Sequence, residues 1–184
     1  MPKIITSKEE ILEKVVPVFL QYGYNNASIA MLAEACGLQK AHIYYYFASK
    51  EALMVAVLES VLLRAELLLF LPAMDSSINK SIRLQSFLTA FEDFFSNQNL
   101  GNIMVNTILQ TIGMDTPFKE IAQKFYQKLI DSIAHLYEER YSPSYAINKA
   151  EQAVQDLQGS IMMSQIFNEP SFFKSALKRV GKKV

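Results

Sequence analysis

The sequence predicts an all-α fold. Apolar residues recur every three to four positions along most of the 184 residues, which is the period of a helix that buries one face. No segment shows the strict alternation of apolar and polar residues that is typical of a half-buried strand. Short stretches rich in Pro, Gly, Asn and Ser separate the apolar segments, and we interpret them as the loops between helices.

The first helix is predicted from Ser7 to Tyr22. Ser7 and Glu10 form a capping-box pattern, in which each side chain can accept a hydrogen bond from an unpaired N–H of the first turn. Pro17 lies inside this helix and cannot donate to the carbonyl four residues earlier, so we expect a kink or a local break there. Gly23 is expected to end the helix.

Two short helices follow, joined by a tight turn. Ser28 is a suitable N-cap for the first of them, and Gly37 can adopt the positive φ that ends it. The second begins at once, with Leu38, Ile43 and Phe47 on its inward side. This pair is predicted to form a helix-turn-helix, which in DNA-binding proteins places its second helix in the major groove.

Six further helices are predicted after this motif. A long one begins at Ser49, continues to about Leu71 and is ended by the turn-forming residues from Pro72 to Asn79. Residues 96–102 are interpreted as a loop. The other predicted helices are Lys80–Phe95, Ile103–Ile112, Phe118–Tyr141, Tyr145–Phe167 and Phe172–Val180.

Composition argues against several classes of protein. The formal net charge is zero, which neither indicates nor excludes nucleic acid as a partner. Cys36 is the single cysteine, so no intramolecular disulfide is possible, and no Cys/His cluster has the spacing of metal ligands. We therefore expect a protein of the reducing cytoplasm, without metal or cofactor. No signal peptide is recognised at the start, and the charges within Leu53–Leu71 argue against a membrane span.

Enzymatic activity is also not expected. Catalysis requires a nucleophile with its base, paired carboxylates, a phosphate-binding loop or a metal site. With two His, one Cys and six Gly, the sequence contains none of these arrangements.

The helix-turn-helix segment resembles a known family. The N-terminal domain of the TetR family of bacterial transcriptional regulators has the same order of residues, from about Ile11 to Leu58. The motifs that carry the resemblance are Leu32-Ala33, Cys36-Gly37-Leu38, Ile43-Tyr44-Tyr45-Tyr46-Phe47 and Ser49-Lys50-Glu51. The resemblance implies a DNA-binding domain at residues 1–50 and a helical domain for effector binding and dimerisation at residues 51–184.

The resemblance also implies roles for individual side chains. An exposed Tyr can reach phosphate oxygens with its hydroxyl and pack its ring on sugar or on a thymine methyl group. By the family pattern, Tyr44 and Tyr46 match contacts to the DNA backbone, Lys50 matches a phosphate contact, and Gln39 to His42 occupy the base-reading part. The predicted DNA-binding set is Ser28, Gln39, Lys40, Ala41, His42, Tyr44, Tyr45, Tyr46 and Lys50.

The C-terminal helices are expected to form a homodimer and to hold a ligand. In the family, the helices that match Phe118–Tyr141 and Tyr145–Phe167 pack with their mates as a four-helix bundle. From the residues alone, the surplus of apolar side chains on these two helices fits ordinary intrachain core equally well. Asn106, Thr107 and Gln110 fall at one-turn spacing in an otherwise apolar helix and could present hydrogen-bonding groups into a cavity. Asn106 and Gln110 are the predicted effector contacts.

These features together predict a repressor that leaves its double-stranded DNA operator when a small, largely apolar effector binds. The alternative is a helical ligand- or protein-binding module of the same fold with weak or lost DNA binding. The charge of the N-terminal part supports this alternative, because its basic and acidic residues balance and leave no net positive charge to attract DNA phosphates. The six basic residues are Lys3, Lys8, Lys14, Lys40, Lys50 and Arg64, and the six acidic residues are Glu9, Glu10, Glu13, Glu34, Glu51 and Glu59.

Overall fold

The computed structural model describes residues 7–97, 100–138 and 140–182. Every regular element in these ranges is a helix, which confirms the predicted all-α fold. Lys3 lies outside the described residues, as do two residues of the predicted loop at 96–102. Within the described ranges, no helix has both the length and the apolar character needed to cross a membrane.

The chain folds as two compact units, each built from two separate segments. The first unit comprises Met1–Leu63 and Asn99–Gln123, and the second comprises Arg64–Gln98 and Lys124–Val184. The predicted boundary at residue 50 separates a DNA-binding domain from an effector-binding domain, whereas the two units above are defined by packing alone. The predicted functional boundary stays a prediction.

The first unit contains the helix-turn-helix. α1 packs against both α2 and α7, and α2 packs against α3. The core of this unit includes Ile11, Phe19, Leu32, Ile43 and Phe47, all buried. The helices are α1 (Lys8–Asn26), α2 (Ile29–Ala35), α3 (Lys40–Tyr46), α4 (Lys50–Ala65), which continues into the second unit, and α7 (Leu100–Gln110).

The predicted caps of these helices are present. Ser7 Oγ accepts from the Glu10 N–H at 3.2 Å while the Glu10 carboxylate accepts from the Ser7 N–H at 3.3 Å, which completes the capping box. Ser28 Oγ accepts from the Met31 N–H at 3.3 Å. Gly37 adopts φ 67°, the left-handed conformation that ends α2 and that a glycine adopts without steric cost.

The first helix differs from the prediction at Pro17. α1 continues through Pro17, and its non-helical backbone angles occur at Gly23, with φ 74° and ψ 167°. Pro17 is exposed, as is Glu13, whose carbonyl loses its helical donor, so solvent can replace the missing hydrogen bond. The helical segment that follows Gly23 extends α1 to Asn26.

The second unit is built around α6 (Lys80–Glu92), α9 (Pro143–Phe167) and α10 (Ser171–Lys182), with most of α8 (Phe118–Tyr137). α10 packs against α9 and α6. The Arg179 guanidinium donates to both carboxylate oxygens of Asp156, at 2.9 Å from Nε and 2.7 Å from Nη2, and this pair joins α10 to α9.

Two π-helical turns interrupt the helices of this unit, and the sequence did not predict either. The first π turn, Glu66–Phe70, separates α4 from α5 (Leu71–Met74), so the helix continues past Pro72 instead of ending at Leu71. A π turn shifts the hydrogen-bond register by one residue, and such turns occur where the regular ladder is interrupted. The second π turn, Asp93–Asn97, extends α6 into the predicted loop.

Other helix ends also differ from the prediction. α7 begins at Leu100, which leaves two residues between it and the second π turn. α8 ends at Tyr137, four residues before the predicted end at Tyr141. α9 begins at Pro143, because proline at the first helical position needs no hydrogen-bond partner for its nitrogen.

Both π turns contribute to an aromatic cluster in the second unit, formed by Phe70, Phe91, Phe94, Phe95 and Phe125. Phe70 lies in the first π turn, and its ring is 5.6 Å from that of Phe125. Phe94 and Phe95 belong to the second π turn and lie 6.2 and 6.5 Å from the Phe125 ring. The Phe91 and Phe95 rings stack at 4.3 Å. Phe125 is thus the common contact of both π turns.

Candidate DNA-binding site

α3 has one buried and one exposed side. Ile43 and Phe47 are buried and fix the helix to the core of the first unit, as predicted. The opposite side exposes Lys40, Ala41 and His42 to solvent. This places the predicted base-reading residues together on one accessible helix surface.

The three consecutive tyrosines have different environments. Tyr44 and Tyr45 are 52% and 82% exposed, so both rings are accessible to a partner. Tyr46 is half-buried; its ring meets the Tyr45 ring edge-on at 5.1 Å and lies 6.4 Å from the Phe47 ring. Tyr44 and Tyr45 are therefore the better placed of the three for contact with DNA, whereas Tyr46 connects the exposed pair to the core.

The N-terminal residues of the two helices also face solvent. Ser28 is exposed, and its oxygen accepts from the Met31 N–H, which leaves the hydroxyl hydrogen available to donate to a phosphate. Gln39 is the N-cap residue of α3 in extended conformation, and its side chain makes no capping hydrogen bond. Gln39 and the neighbouring Lys40 are both exposed.

Lys50 makes contacts that the sequence did not predict. Its ammonium donates to the carbonyl oxygens of Tyr24, Asn25 and Ala27 at 2.8, 3.3 and 3.0 Å, and lies 4.7 Å from the centre of the Tyr24 ring. Burial lowers the pKa of Lys50, whereas the carbonyl oxygens and the ring favour its charged form.

This geometry revises the role predicted for Lys50. An ammonium group has three hydrogens, and three carbonyl oxygens lie within reach of it. Lys50 therefore joins the start of α4 to the end of α1. A phosphate contact by Lys50 would require at least one of these bonds to be exchanged, so that role stays a proposal.

Lys8 is a candidate that the sequence did not single out. Its ammonium lies 5.5 Å from the centre of the Phe47 ring, which places a positive charge beside the C-terminal end of α3. The position of Lys8 depends on the packing of α1 against the helix-turn-helix, and no local sequence signal indicates it.

The two predicted effector residues lie in the first unit. Gln110 is bound to Asn25: its carbonyl accepts from the Asn25 side-chain amide at 2.9 Å, and its Oε1 accepts from the Asn25 N–H at 3.5 Å. These bonds tie Gln110 to the segment that precedes α2, and an effector contact by this residue stays a prediction. Asn106 is half-buried on α7.

The fold and the exposed α3 surface define a helix-turn-helix protein. Residues 11–57 match the family described as bacterial regulatory proteins, tetR family. This match confirms the resemblance to the TetR family that the sequence motifs predicted for this segment. The matched proteins are described as transcriptional regulators, which agrees with the interpretation that the chain is not an enzyme.

Curated relatives support the assignment over part of the chain. RutR of Escherichia coli, an HTH-type transcriptional regulator, is 37% identical over 59 residues, which are 32% of this chain and 28% of RutR. YuxN of Bacillus subtilis, an uncharacterised HTH-type transcriptional regulator, is 26% identical over 136 residues, 72% of this chain and 46% of YuxN. The matches thus span less than half the length of these curated relatives.

Solved structures share the fold over nearly the whole chain. A TetR transcriptional regulator from Legionella pneumophila superposes with a TM-score of 0.81, with 22% identity, over 98% of this chain and 99% of that one. The reduced form of NemR from Escherichia coli gives a TM-score of 0.77 with 19% identity, over 94% of each chain. At these identities the likeness concerns the fold alone.

Proposed function

We propose that this chain is a transcriptional repressor that binds its operator as a homodimer and leaves it when a small, largely apolar effector binds. The observation that carries the proposal is the exposed surface of α3, with Lys40, His42, Tyr44 and Tyr45 fixed by the buried Ile43. The match of this segment to the DNA-binding domain of the family supports it.

The dimensions of α3 suit the major groove. A helix with its side chains is about 10–12 Å in diameter, which matches the width of the groove, about 12 Å. Gln39 and Lys40 at its N-terminal end would contact base edges, where an amide pairs with adenine and an ammonium with guanine. Tyr44 and Ser28 would contact phosphate oxygens on either side.

The first prediction separates base readout from backbone contact. Tyr44→Ala should weaken binding to every duplex by a similar factor, whereas Lys40→Ala and Gln39→Ala should change which bases are preferred, with losses of about 1–3 kcal/mol at the affected position. Duplexes selected from a random library would be titrated against each variant at several salt concentrations. Gln21→Ala, an exposed change on α1, is the matched control. Equal effects of all three variants on every sequence would refute the assignment of roles.

The dimer proposal is supported by exposed apolar side chains on α9. Met162, Ile166 and Phe167 are 55%, 65% and 59% exposed, and Ile147 is 46% exposed. An exposed row of large apolar side chains often marks a protein interface. A dimer would also present two recognition helices to the two half-sites of a palindromic operator, about 34–36 Å apart.

Sedimentation equilibrium tests this interface. The wild-type protein should be a dimer at micromolar concentration, and Ile166→Asp should yield monomer because it places a charge in an apolar contact. Ile82→Asp, at a residue of α6 with 59% exposure, should leave the dimer intact. A wild-type monomer at micromolar concentration would contradict the proposal.

The best support for an effector site comes from Tyr126 in the second unit. Among the described residues, the Tyr126 hydroxyl oxygen is buried and has no hydrogen-bond partner. The Tyr126 ring lies 5.2 Å from that of Phe125, at the edge of the aromatic cluster, and burial raises the pKa of its phenol. A largely apolar molecule with one hydrogen-bonding group would satisfy this hydroxyl. Asn106 is retained as a second, untested effector residue.

Replacing Tyr126 tests this placement. Tyr126→Phe should stabilise the ligand-free protein by about 1 kcal/mol, because it removes an unpaired buried hydroxyl. The same change should weaken an effector found by thermal-shift screening about tenfold. Gln127→Ala, at the adjacent exposed residue of α8, serves as the control. Unchanged effector affinity in Tyr126→Phe would exclude the hydroxyl as a contact.

The effector must also satisfy linkage. A ligand that releases DNA binds free protein more tightly than the DNA complex, by the same factor by which it weakens DNA binding. Calorimetry with and without selected DNA measures both affinities. Equal affinities would show that the ligand is not the inducer.

A module of the same fold with weak or lost DNA binding is the second candidate. The geometry of Lys50 favours it, because that ammonium is bound to three backbone carbonyls, while Glu34 and Glu51 are exposed. Retention on DNA separates the two functions. A repressor should be retained at low salt and released steeply as salt rises, since each phosphate contact releases a counterion.

A further inference from the structure

The segment that leads into the helix-turn-helix is held by residues far away in the sequence. We define the α1–α2 junction as residues 23–27, which connect the regular part of α1 to Ser28, the N-cap residue of α2. Gly23 at its start has φ 74°, a conformation that side-chain-bearing residues rarely adopt. The position of α2 depends on the path that these five residues take.

Gln110 at the end of α7 occupies the space beside Gly23. A Cβ atom added to Gly23 would lie 2.7 Å from Gln110 Cδ and closer still to both terminal atoms of the same amide. The backbone conformation favours glycine at position 23, and the missing side chain leaves room for the Gln110 amide, which any larger residue would displace.

Gln110 also accepts two hydrogen bonds from Asn25, one at its side-chain oxygen and one at its backbone carbonyl. The Asn25 N–H donates to Gln110 Oε1 at 3.5 Å, and the Asn25 Nδ2 group donates to the Gln110 carbonyl at 2.9 Å. The carbonyl bond also satisfies an acceptor at the C-terminal end of α7, where helix carbonyls lack intrahelical donors. The last residue of α7 and the centre of the junction are thus joined.

The other residues of the junction are held by α8 and α4. The Tyr24 ring is buried against Phe118, the first residue of α8, at 5.0 Å and edge-on. Lys50 binds the carbonyls of Tyr24, Asn25 and Ala27 from the start of α4. The junction is therefore fixed between α4 and the α7–α8 segment, and the latter lies outside residues 11–57, which match the family's DNA-binding domain.

We propose that Gln110 is a positioning residue for the helix-turn-helix: by filling the space at Gly23 and binding Asn25, it sets the path of the junction and hence the position of Ser28 and α2 on DNA. This inference rests on the proposed DNA-binding function. According to this inference, α7 affects the affinity for DNA although it does not contact DNA itself.

The test compares Gln110→Ala with the control Gln21→Ala. Gln110→Ala should weaken binding of the full-length protein to its selected duplex about three- to tenfold, which is the range for loss of a hydrogen bond. The loss should be similar on every duplex, because no base contact changes. The backbone amides of α2 should exchange hydrogen faster by a similar factor. Gln21→Ala should change neither quantity.

A double-mutant cycle tests whether the Gln110 side chain occupies the space beside Gly23. Gly23→Ala should lower the Tm more in the wild-type background than in the Gln110→Ala background, because the second background lacks the amide that the new Cβ would meet. Equal losses in both backgrounds would show that Gln110 is not the neighbour that requires glycine, and would overturn this part of the inference.

The outcomes separate the inference from the proposed function. If Gln110→Ala lowers the Tm but leaves both DNA affinity and α2 exchange unchanged, its role is structural only and the inference fails. If wild-type protein retains no duplex, the proposed function fails. Hydrogen exchange and the double-mutant cycle need no DNA, so they would then decide whether Gln110 positions α2.

Discussion

Replacing Phe125 by alanine should lower the free energy of unfolding by about 3–5 kcal/mol, the range for truncating a buried phenylalanine. Phe125 is fully buried, and its ring contacts Phe70 of the first π turn and Phe94 and Phe95 of the second. Alanine would leave a cavity with aromatic walls that relax only partly. Urea denaturation at a fixed protein concentration measures the loss, since association shifts apparent stability.

Two further variants define what this loss means. Phe125→Leu should cost less than Phe125→Ala, because leucine fills part of the cavity. Tyr45→Ala removes an aromatic ring that is 82% exposed and should change stability by no more than about 0.5 kcal/mol. A loss below about 1 kcal/mol for Phe125→Ala would mean that the two π turns repack around the gap.

Lys50→Ala should destabilise the protein in the absence of DNA, by about 2 kcal/mol, and should also abolish tight DNA binding. The change leaves the carbonyls of Tyr24, Asn25 and Ala27 without their charged donor, and hydrogen bonds to charged groups are worth more than neutral ones. Thermal unfolding without DNA measures the first effect. DNA titration at low salt measures the second.

Lys40→Ala is the matched control because Lys40 is an exposed lysine of the same unit. It should leave stability within about 0.5 kcal/mol of wild type while changing DNA preference. If Lys50→Ala is as stable as wild type yet binds DNA poorly, Lys50 is a phosphate contact and not a structural link. The contrast between the two lysines therefore decides the role of Lys50.

Local signals in the sequence were sufficient for the helix-turn-helix. The caps at Ser7 and Ser28 and the positive φ at Gly37 each depend on interactions within three or four residues, so the chain specifies them without tertiary context. The burial of Ile43 and Phe47 followed from helical spacing. The motif could be recognised because its geometry is encoded in one short segment.

Interactions between distant segments could not be predicted in the same way. Gln110 and Asn25 are 85 residues apart, and Lys50 and Tyr24 are 26 apart, so periodicity carries no information on either pair. Asn106 and Gln110 have the spacing of residues that line a pocket, but the packing of α1 against α7 gives Gln110 another partner. The helix propensity of Pro72 predicts a helix end, but in the structure a π turn precedes this residue and the helix continues through it as α5.

The burial of Cys36 has a practical consequence for experiments on this protein. Cys36 is the only cysteine of the chain and is 6% exposed, and burial raises the pKa of its thiol, an effect that the Lys14 ammonium partly opposes. Maleimides and spin labels react with accessible thiolates, so the folded wild-type chain offers them little to modify. Fluorophores or paramagnetic probes can therefore be attached at one chosen surface cysteine, for example in His42→Cys, without first removing the native thiol.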